Sequence, residues 1–381
     1  MAVIALGSEN NPQHEHYMRL ALELAARARG RTAPNPLVGA VVVKDGKIIG
    51  QGYHQKAGTP HAEVHALREA GTKARGSTMY VTLEPCSHYG RTPPCSKAVI
   101  EAGLAEVYVA MQDPNPKVAG RGIQQLRDAG IKVEVGLLSE EARRLNEIFI
   151  KYITTKRPFV LLKTAMTLDG KIAARTGHAR WITGPEARNT VHQIRDEYDA
   201  ILVGVNTVIA DDPELTCRLP GGEGHDPVRL ILDSRARMPL NARALQFDSP
   251  APTIIVTTDL APEENLTGLK AAGAEVITVP CLGGRVDLPE LLAELGRREI
   301  SSLLVEGGAE VSAAFLSGAL VDKVLWFIAP KIVGGRDAPG PVGGIGRERM
   351  DEALVLRDIT WGQAGSDIYV EGYPDYVHRN S

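Results

Sequence analysis

His61-Ala62-Glu63, Pro85-Cys86 and Pro94-Cys95 bring one imidazole, two thiols and a carboxylate into a short stretch of chain. An imidazole and two thiolates are good zinc ligands, and three protein ligands leave the fourth position of a tetrahedral ion to water. Zinc lowers the pKa of that water towards neutrality. Attack of hydroxide on an amidine-like ring carbon also needs protons carried from the water to the departing amine. Glu63, beside the metal, is placed to carry them. Two other readings fit less well. A structural zinc site wants four ligands, and the remaining cysteines, Cys217 and Cys281, lie far along the chain. His61 and His65 stand four apart as in the metallopeptidase pattern H-E-x-x-H, but Ala62, not a glutamate, follows His61. His65 reads as a packed or solvated helix residue.

A second constellation lies in the last third of the chain. Val305-Glu306-Gly307-Gly308-Ala309-Glu310 reads as a strand entering a glycine pair and then a helix. Bare backbone at a helix N-terminus suits a pyrophosphate. A full G-x-G-x-x-G after a strand is absent from the sequence, so a Rossmann fingerprint is not available.

Stepping from these residues to what must hold them, the sequence alternates strand and helix patterns. Apolar spacing over Tyr17 to Arg29 predicts an amphipathic helix. Val38 to Val43, the Asp45-Gly46 turn and Lys47 to Tyr53 predict a hairpin. Helices at 63–70, 96–102 and 123–129 alternate with strands at 77–83, 106–110 and 132–136, and one helix is expected from Glu140 to about Tyr152. Lys156-Arg157-Pro158 interrupts the pattern before a buried strand from Phe159 to Thr164. The domain boundary is therefore set there, giving domains 1–155 and 156–381. Beyond it, strands at 200–205, 228–232, 253–257, 275–279, 302–305, 323–328 and 367–371 alternate with helices at 188–198, 264–272, 288–297 and 309–317. Both halves are expected to be α/β with largely parallel sheets.

Composition agrees. A chain of 381 residues is more than one core usually serves. Its 44% hydrophobic and 23% charged residues are those of a soluble globular protein. No apolar run approaches the roughly 18 residues of a membrane span, and the start lacks a basic leader region, so a cytoplasmic location is expected. In that setting four cysteines favour metal or redox roles over disulfides. A net charge of −3 with 5% aromatic residues argues against nucleic-acid binding.

The H-x-E and P-C elements are those of zinc-dependent base deaminases, but Ser87 to Pro94 form a longer gap than the usual P-C-x-x-C. The segment from Pro85 to Cys95, with Asn35-Pro36-Leu37-Val38-Gly39 and Gly52-Tyr53-His54, resembles one branch of the cytidine deaminase superfamily: the pyrimidine deaminases of riboflavin biosynthesis. The resemblance covers roughly residues 15 to 150. It implies zinc on His61, Cys86 and Cys95, Glu63 as the catalytic residue, and Asn35, His54, His88 and Arg91 lining the substrate pocket. Each of these four also reads as a loop-stabilising side chain.

From about 158 to 370, Lys163-Thr164-Ala165-Met166-Thr167-Leu168-Asp169-Gly170-Lys171, Trp181-Ile182-Thr183-Gly184, Gly204-Val205-Asn206-Thr207, Asp211 to Thr216, Leu232-Asp233-Ser234 and Glu306-Gly307-Gly308 stand in order. Together they resemble the riboflavin-pathway reductases, whose fold is similar to dihydrofolate reductase. The resemblance implies NADPH at Ala165, Trp181, Thr207, Asp211, Ser234 and from Gly308, and substrate at Lys163, Ala179, Arg195, Leu215, Arg218 and Glu306. Two arginines can hold a phosphate by charge-assisted bonds. A surface ion pair is the lesser alternative for Arg195, and Trp181 equally fits a core position; Arg235 is a candidate for the cofactor 2′-phosphate.

The implied fold is thus an N-terminal cytidine-deaminase-like three-layer αβα domain followed by a dihydrofolate-reductase-like α/β domain. The implied function is zinc-dependent deamination of 2,5-diamino-6-(5-phosphoribosylamino)pyrimidin-4-one, then NADPH reduction of its ribosyl group to ribityl. The expected partner is that phosphorylated small molecule, with no nucleic acid or membrane, in a homo-oligomer. A transfer-RNA-type base deaminase would need a basic strip and would leave the second half without a role. A zinc-stapled interaction module would make Glu63 incidental.

Overall fold

The computed structural model describes residues 12–89, 93–116, 118–222, 224–246 and 249–376. It divides into two compact units, residues 1–155 and 156–381.

In the first unit the described residues form a five-stranded sheet from β1 (Gly39–Lys44), β2 (Lys47–Tyr53), β3 (Thr78–Val81), β4 (Glu106–Val109) and β5 (Lys132–Val135), in the order β2-β1-β3-β4-β5. Helices are α1 (Pro12–Ala26), α2 (Ala62–Ala70), α3 (Cys95–Ala102), α4 (Arg121–Asp128), α5 (Ser139–Leu145) and α6 (Glu147–Thr155). The pairs β1–β2 and β1–β3 are antiparallel while β3–β4 and β4–β5 are parallel, so this sheet is more mixed than the alternation of elements suggested. Two glycines show how it is sandwiched. A Cβ on Gly39 would lie 2.0 Å from the carbonyl oxygen of Ala21 in α1, and one on Gly50 would lie 2.2 Å from that of Ala66 in α2. Gly39 pairs with Tyr53 and Gly50 with Val42. Alternation along β1 and β2 then puts these two glycines on opposite faces, one helix against each.

The single helix expected from Glu140 is two. It breaks at Asn146, whose side-chain oxygen accepts from Leu37 N–H at 2.8 Å and whose amide donates to the Leu37 carbonyl at 3.0 Å. That reciprocal pair fixes the Pro34–Val38 loop, which carries Asn35.

The second unit contains, among the described residues, β6 (Phe159–Thr167), α7 (Pro185–Glu197), β7 (Ala200–Gly204), α8 (Val205–Asp211), β8 (Val228–Leu232), β9 (Thr253–Thr257), α9 (Glu263–Ala271) and β10 (Glu275–Thr278). A small hairpin, β11 (Cys281–Leu282) and β12 (Arg285–Val286), precedes α10 (Leu288–Arg297), β13 (Ser302–Val305), α11 (Ala309–Ser317), β14 (Lys323–Ala329), β15 (Leu356–Ala364) and β16 (Asp367–Pro374). The main sheet has the order β10-β9-β8-β7-β13-β6-β14-β16-β15. Pairing is parallel from β10 to β14 and antiparallel through β16 and β15. Strands β6, β7 and β13 are buried almost throughout, which is why they read as unbroken apolar runs. Strand β15 is the reverse: its side chains are mostly exposed, so no alternation marks it in the sequence.

Candidate active sites

Three elements converge at one end of the first unit. His61 is the N-cap of α2, Cys95 is the first residue of α3, and Cys86 sits on the loop that leaves β3. Their ligand atoms all lie within 4.8 Å of one another. His61 Nδ1 is 3.2 Å from Cys95 Sγ and 3.6 Å from Cys86 Sγ. A tetrahedral zinc, with Zn–S near 2.3 Å and Zn–N near 2.05 Å, sets such nitrogen and sulfur atoms about 3.6 Å apart. The donor set and its spacing therefore fit zinc. Donation from Cys95 to the Cys86 sulfur drives the Cys86 thiol down despite burial, and the same contact drives Cys95 up.

Glu63 lies in the first turn of α2, 3% exposed. Its Oε2 has no hydrogen-bond partner among the described residues. Burial lifts its carboxyl to about 7, against the downward pull of His61. A carboxyl that exchanges its proton near neutrality is suited to general acid–base work.

His54 is buried, edge-on to His61 with ring centroids 5.2 Å apart. Its Nδ1 is 3.3 Å from the Pro60 carbonyl, which can only accept, so Nδ1 carries the proton. Nε2 then accepts from Asn35 Nδ2 at 3.2 Å. Burial pushes the His54 pKa down, so the ring is held neutral. Asn35 and His54 thus act as one unit next to the metal ligands. His88 is exposed at the outer end of the Cys86 loop, and Arg91 lies outside the described residues.

Two acids here escaped the sequence reading. Asp113, 8% exposed, has its carboxyl pushed up to about 6 by burial, offset in part by the Asn115 N–H, with Glu84, His88 and Cys86 among the charges that act on it. Glu84 directly precedes Pro85-Cys86 and is also buried. Asp113-Pro114-Asn115-Pro116 signals only a turn, and nothing in the sequence distinguishes Glu84 from a surface acid.

In the second unit, β6 carries Lys163, α7 carries Arg195, and the end of β13 leads to Glu306. Arg195 Nε donates to Glu306 Oε1 at 2.8 Å and Nη2 to Oε2 at 3.2 Å, while Lys163 Nζ reaches Oε2 at 3.2 Å. Burial would raise the Glu306 pKa, but the Arg195 and Lys163 charges overcome it and hold the carboxyl at about 2. Arg195 Nη1 also donates to the Thr216 carbonyl at 3.0 Å. Its fork is thus engaged by protein, in a largely buried ion pair with side chains 13% and 10% exposed, and not in the surface pair that was the alternative reading. Arg218 differs. Its side chain is half exposed, with Nη1 donating to Glu214 Oε2 at 2.5 Å and to Thr216 Oγ1 at 2.8 Å. Glu214 also pairs with Arg243.

Leu215 is buried with φ 58°, a left-handed backbone that leucine rarely adopts. Gly308 caps α11, and a Cβ on it would lie 3.7 Å from Thr207 Oγ1, so the glycine turn and the start of α8 are adjacent. Asp211 closes α8. Trp181 is no core residue. The residue is 63% exposed, with the Arg188 guanidinium 4.6 Å from its ring centroid, and Lys331 Nζ donates to its carbonyl at 2.7 Å. Ala165 lies on β6, Ala179 precedes Trp181 by two residues, and the Ser234 carbonyl accepts from Thr258 Oγ1 at 2.9 Å. His192, unnoticed in the sequence, sits beneath Arg218, whose N–H donates to its Nδ1 at 3.2 Å. Burial, then the Arg195 and Arg218 charges, lowers its pKa to about 4.

Comparison with known proteins supports both halves. Residues 11–111 match the cytidine and deoxycytidylate deaminase zinc-binding region, and residues 158–370 match the RibD C-terminal domain. The chain is 48% identical over 356 residues to the riboflavin biosynthesis protein RibD of Aquifex aeolicus, covering 93% of this chain and 97% of that protein. It is 45% identical to the Escherichia coli RibD, covering 93% and 98%. Among solved structures it is similar to Acinetobacter baumannii RibD, with TM-score 0.85 and 40% identity, covering 96% of this chain and 99% of that one. A Thermotoga maritima diaminohydroxyphosphoribosylaminopyrimidine deaminase/5-amino-6-(5-phosphoribosylamino)uracil reductase matches with TM-score 0.82 and 39% identity, covering 96% and 99%. A cytidine-deaminase-like unit with a zinc-fitting ligand set is followed here by a dihydrofolate-reductase-like unit, and the chain belongs to the RibD family, joining a zinc-dependent deaminase to an NADPH-using reductase in riboflavin biosynthesis.

Proposed function

We propose that residues 1–155 remove the 2-amino group of 2,5-diamino-6-(5-phosphoribosylamino)pyrimidin-4-one by hydrolysis, and that residues 156–381 then reduce the ribosyl group of the product to ribityl with NADPH. The observation that carries this reading is the cluster of His61, Cys86 and Cys95 with the buried carboxyl of Glu63 on the same helix turn. Zinc on those three side chains would supply a water acidic enough to ionise near neutral pH. Glu63 would carry a proton from the attacking water to the departing amine. Asn35 and the neutral His54 orient the ring, and His88 is a further residue of the pocket lining.

In the second half, Lys163, Arg195 and Glu306 form a pre-set polar floor for the sugar, and Ala179 and Leu215 are further substrate contacts. Arg218 presents its half-exposed guanidinium to the phosphate. Trp181, Ala165, Thr207, Asp211, Ser234 and the turn at Gly308 hold the cofactor. A homo-oligomer is supported by the outer strand β15, which exposes Ile359 at 55% and Trp361 at 73% beside unpaired backbone. Among the described residues no helix is long and apolar enough to cross a membrane, which suits the cytoplasmic location we propose. The acidic balance argues for a small-molecule substrate over nucleic acid.

The test is one assay on the purified chain. Given the diaminopyrimidine phosphate and NADPH, it should release ammonia and oxidise NADPH in sequence, with one zinc bound per chain. Ammonia release from RNA but not from the pyrimidine, or NADPH oxidation without prior deamination, would defeat the reading.

A further inference from the structure

His61 and Cys95 are fixed by the starts of α2 and α3, but Cys86 is carried by a loop. Something else must hold it still. Glu84, two residues earlier, is 3% exposed and accepts from four main-chain N–H groups. Oε2 takes those of Asp113 at 3.1 Å and Gly120 at 2.9 Å, and Oε1 those of Gly122 at 2.8 Å and Ile123 at 3.3 Å. The Glu84 N–H itself donates to the Met111 carbonyl at 3.0 Å. The same junction is closed sterically: a Cβ on Gly122 would lie 1.9 Å from the Pro85 carbonyl oxygen. One carboxylate thus ties the segment just before Cys86 to the exit of β4 and to the first turn of α4. The Cys86 carbonyl and sulfur face the other way, accepting from Ser96 and Cys95 N–H groups at 3.2 and 3.3 Å.

Resting on the ligand reading above, we propose that Glu84 is the positioning residue of the deaminase metal centre: it sets where Cys86 Sγ stands relative to His61 and Cys95, without touching metal or substrate. All four of its partners are donors. An amide in its place turns an NH2 towards two of them, and the loop must shift.

Glu84→Gln holoprotein should therefore release zinc to a chromogenic chelator about 10- to 100-fold faster than wild type, the range over which lost outer supports of metal ligands weaken affinity. Excess zinc should restore occupancy, and reduction of supplied deaminated pyrimidine should stay within a few-fold. An unchanged release rate overturns the proposal. So does an equal drop in melting temperature of the apo and zinc-loaded forms, because that marks a purely structural role. If Glu84→Gln does not fold, Glu84→Asp, too short to reach all four donors, should release zinc at an intermediate rate, and wild-type release from it also overturns the proposal. Cys86→Ser separates the two levels. Zinc retained at the wild-type rate in that variant means the ligand reading has failed, whereas zinc lost there but kept in Glu84→Gln means only the Glu84 role has failed.

Discussion

Glu63 is buried and Glu306 nearly so, its side chain 10% exposed, yet they sit at opposite ends of the carboxyl range. Glu63 keeps an oxygen with no partner among the described residues and its carboxyl is lifted by burial to about 7, whereas Glu306 is gripped by Arg195 and Lys163 and stays ionised down to about 2. Burial alone would raise both. The partners decide. One site keeps a carboxyl that can move a proton, and the other keeps a fixed anion whose task is to hold two cations in place. In the first unit chemistry comes from what is left unsatisfied; in the second, recognition comes from groups satisfied in advance.

The contrast breaks most sharply at Glu63. Glu63→Gln removes the proton carrier while leaving the proposed ligands, so deamination should fall by about 10²- to 10⁴-fold. Zinc content and the reduction of supplied intermediate should stay near wild type. Parallel rates and metal analysis on that variant decide the matter, and deamination that survives would strip Glu63 of its role. Next in size is Arg218→Ala. Losing a charge-assisted bond to phosphate costs about 1.5–3 kcal/mol, so KM for the phosphorylated substrate should rise about 10- to 100-fold with KM for NADPH little changed. A rise confined to NADPH would move Arg218 to the cofactor side. The smallest effect is a pH slope. Because the folded pKa of Glu306 lies below the ordinary 4.5, its stabilisation is complete above pH 4.5 and fades as pH falls towards 2. One proton gives at most about 1.4 kcal/mol per pH unit. Urea unfolding across that window should show a shallower slope in Glu306→Gln. An identical slope would mean that Glu306 is not the fixed anion described.

The metal centre was legible because ligand chemistry restricts residue types, so His61, Glu63, Cys86 and Cys95 announce themselves by identity and spacing. The buried strands β6, β7 and β13 were legible as apolar runs. What stayed hidden depends on partners that sequence does not reveal. Glu84 serves main-chain N–H groups, which every residue but proline has, so no residue type marks its partners. Arg195 and Glu306 stand 111 residues apart, and nothing local says they pair. Asn146 lies within a helical pattern, and only its bonds to Leu37 explain the break. Strand β15 lacks a buried face, so the alternation that betrays strands is missing.

The position of β13 has a consequence for how the chain is made. Strand β6, complete at Thr167, is flanked in the sheet by β13, which begins at Ser302, and β14, which begins at Lys323. At roughly 5–20 residues per second of synthesis, the apolar segment Phe159–Leu162 waits about 7 to 30 seconds for either neighbour. The strands of the first unit are all available by Val135, so that unit has no such interval. A ribosome stalled between the two points would hold out a strand with both edges open, the kind of surface for which chaperones and aggregation compete. Slow codons after β6 and before β13 should therefore lower the yield of soluble protein more than the same codons placed after β14.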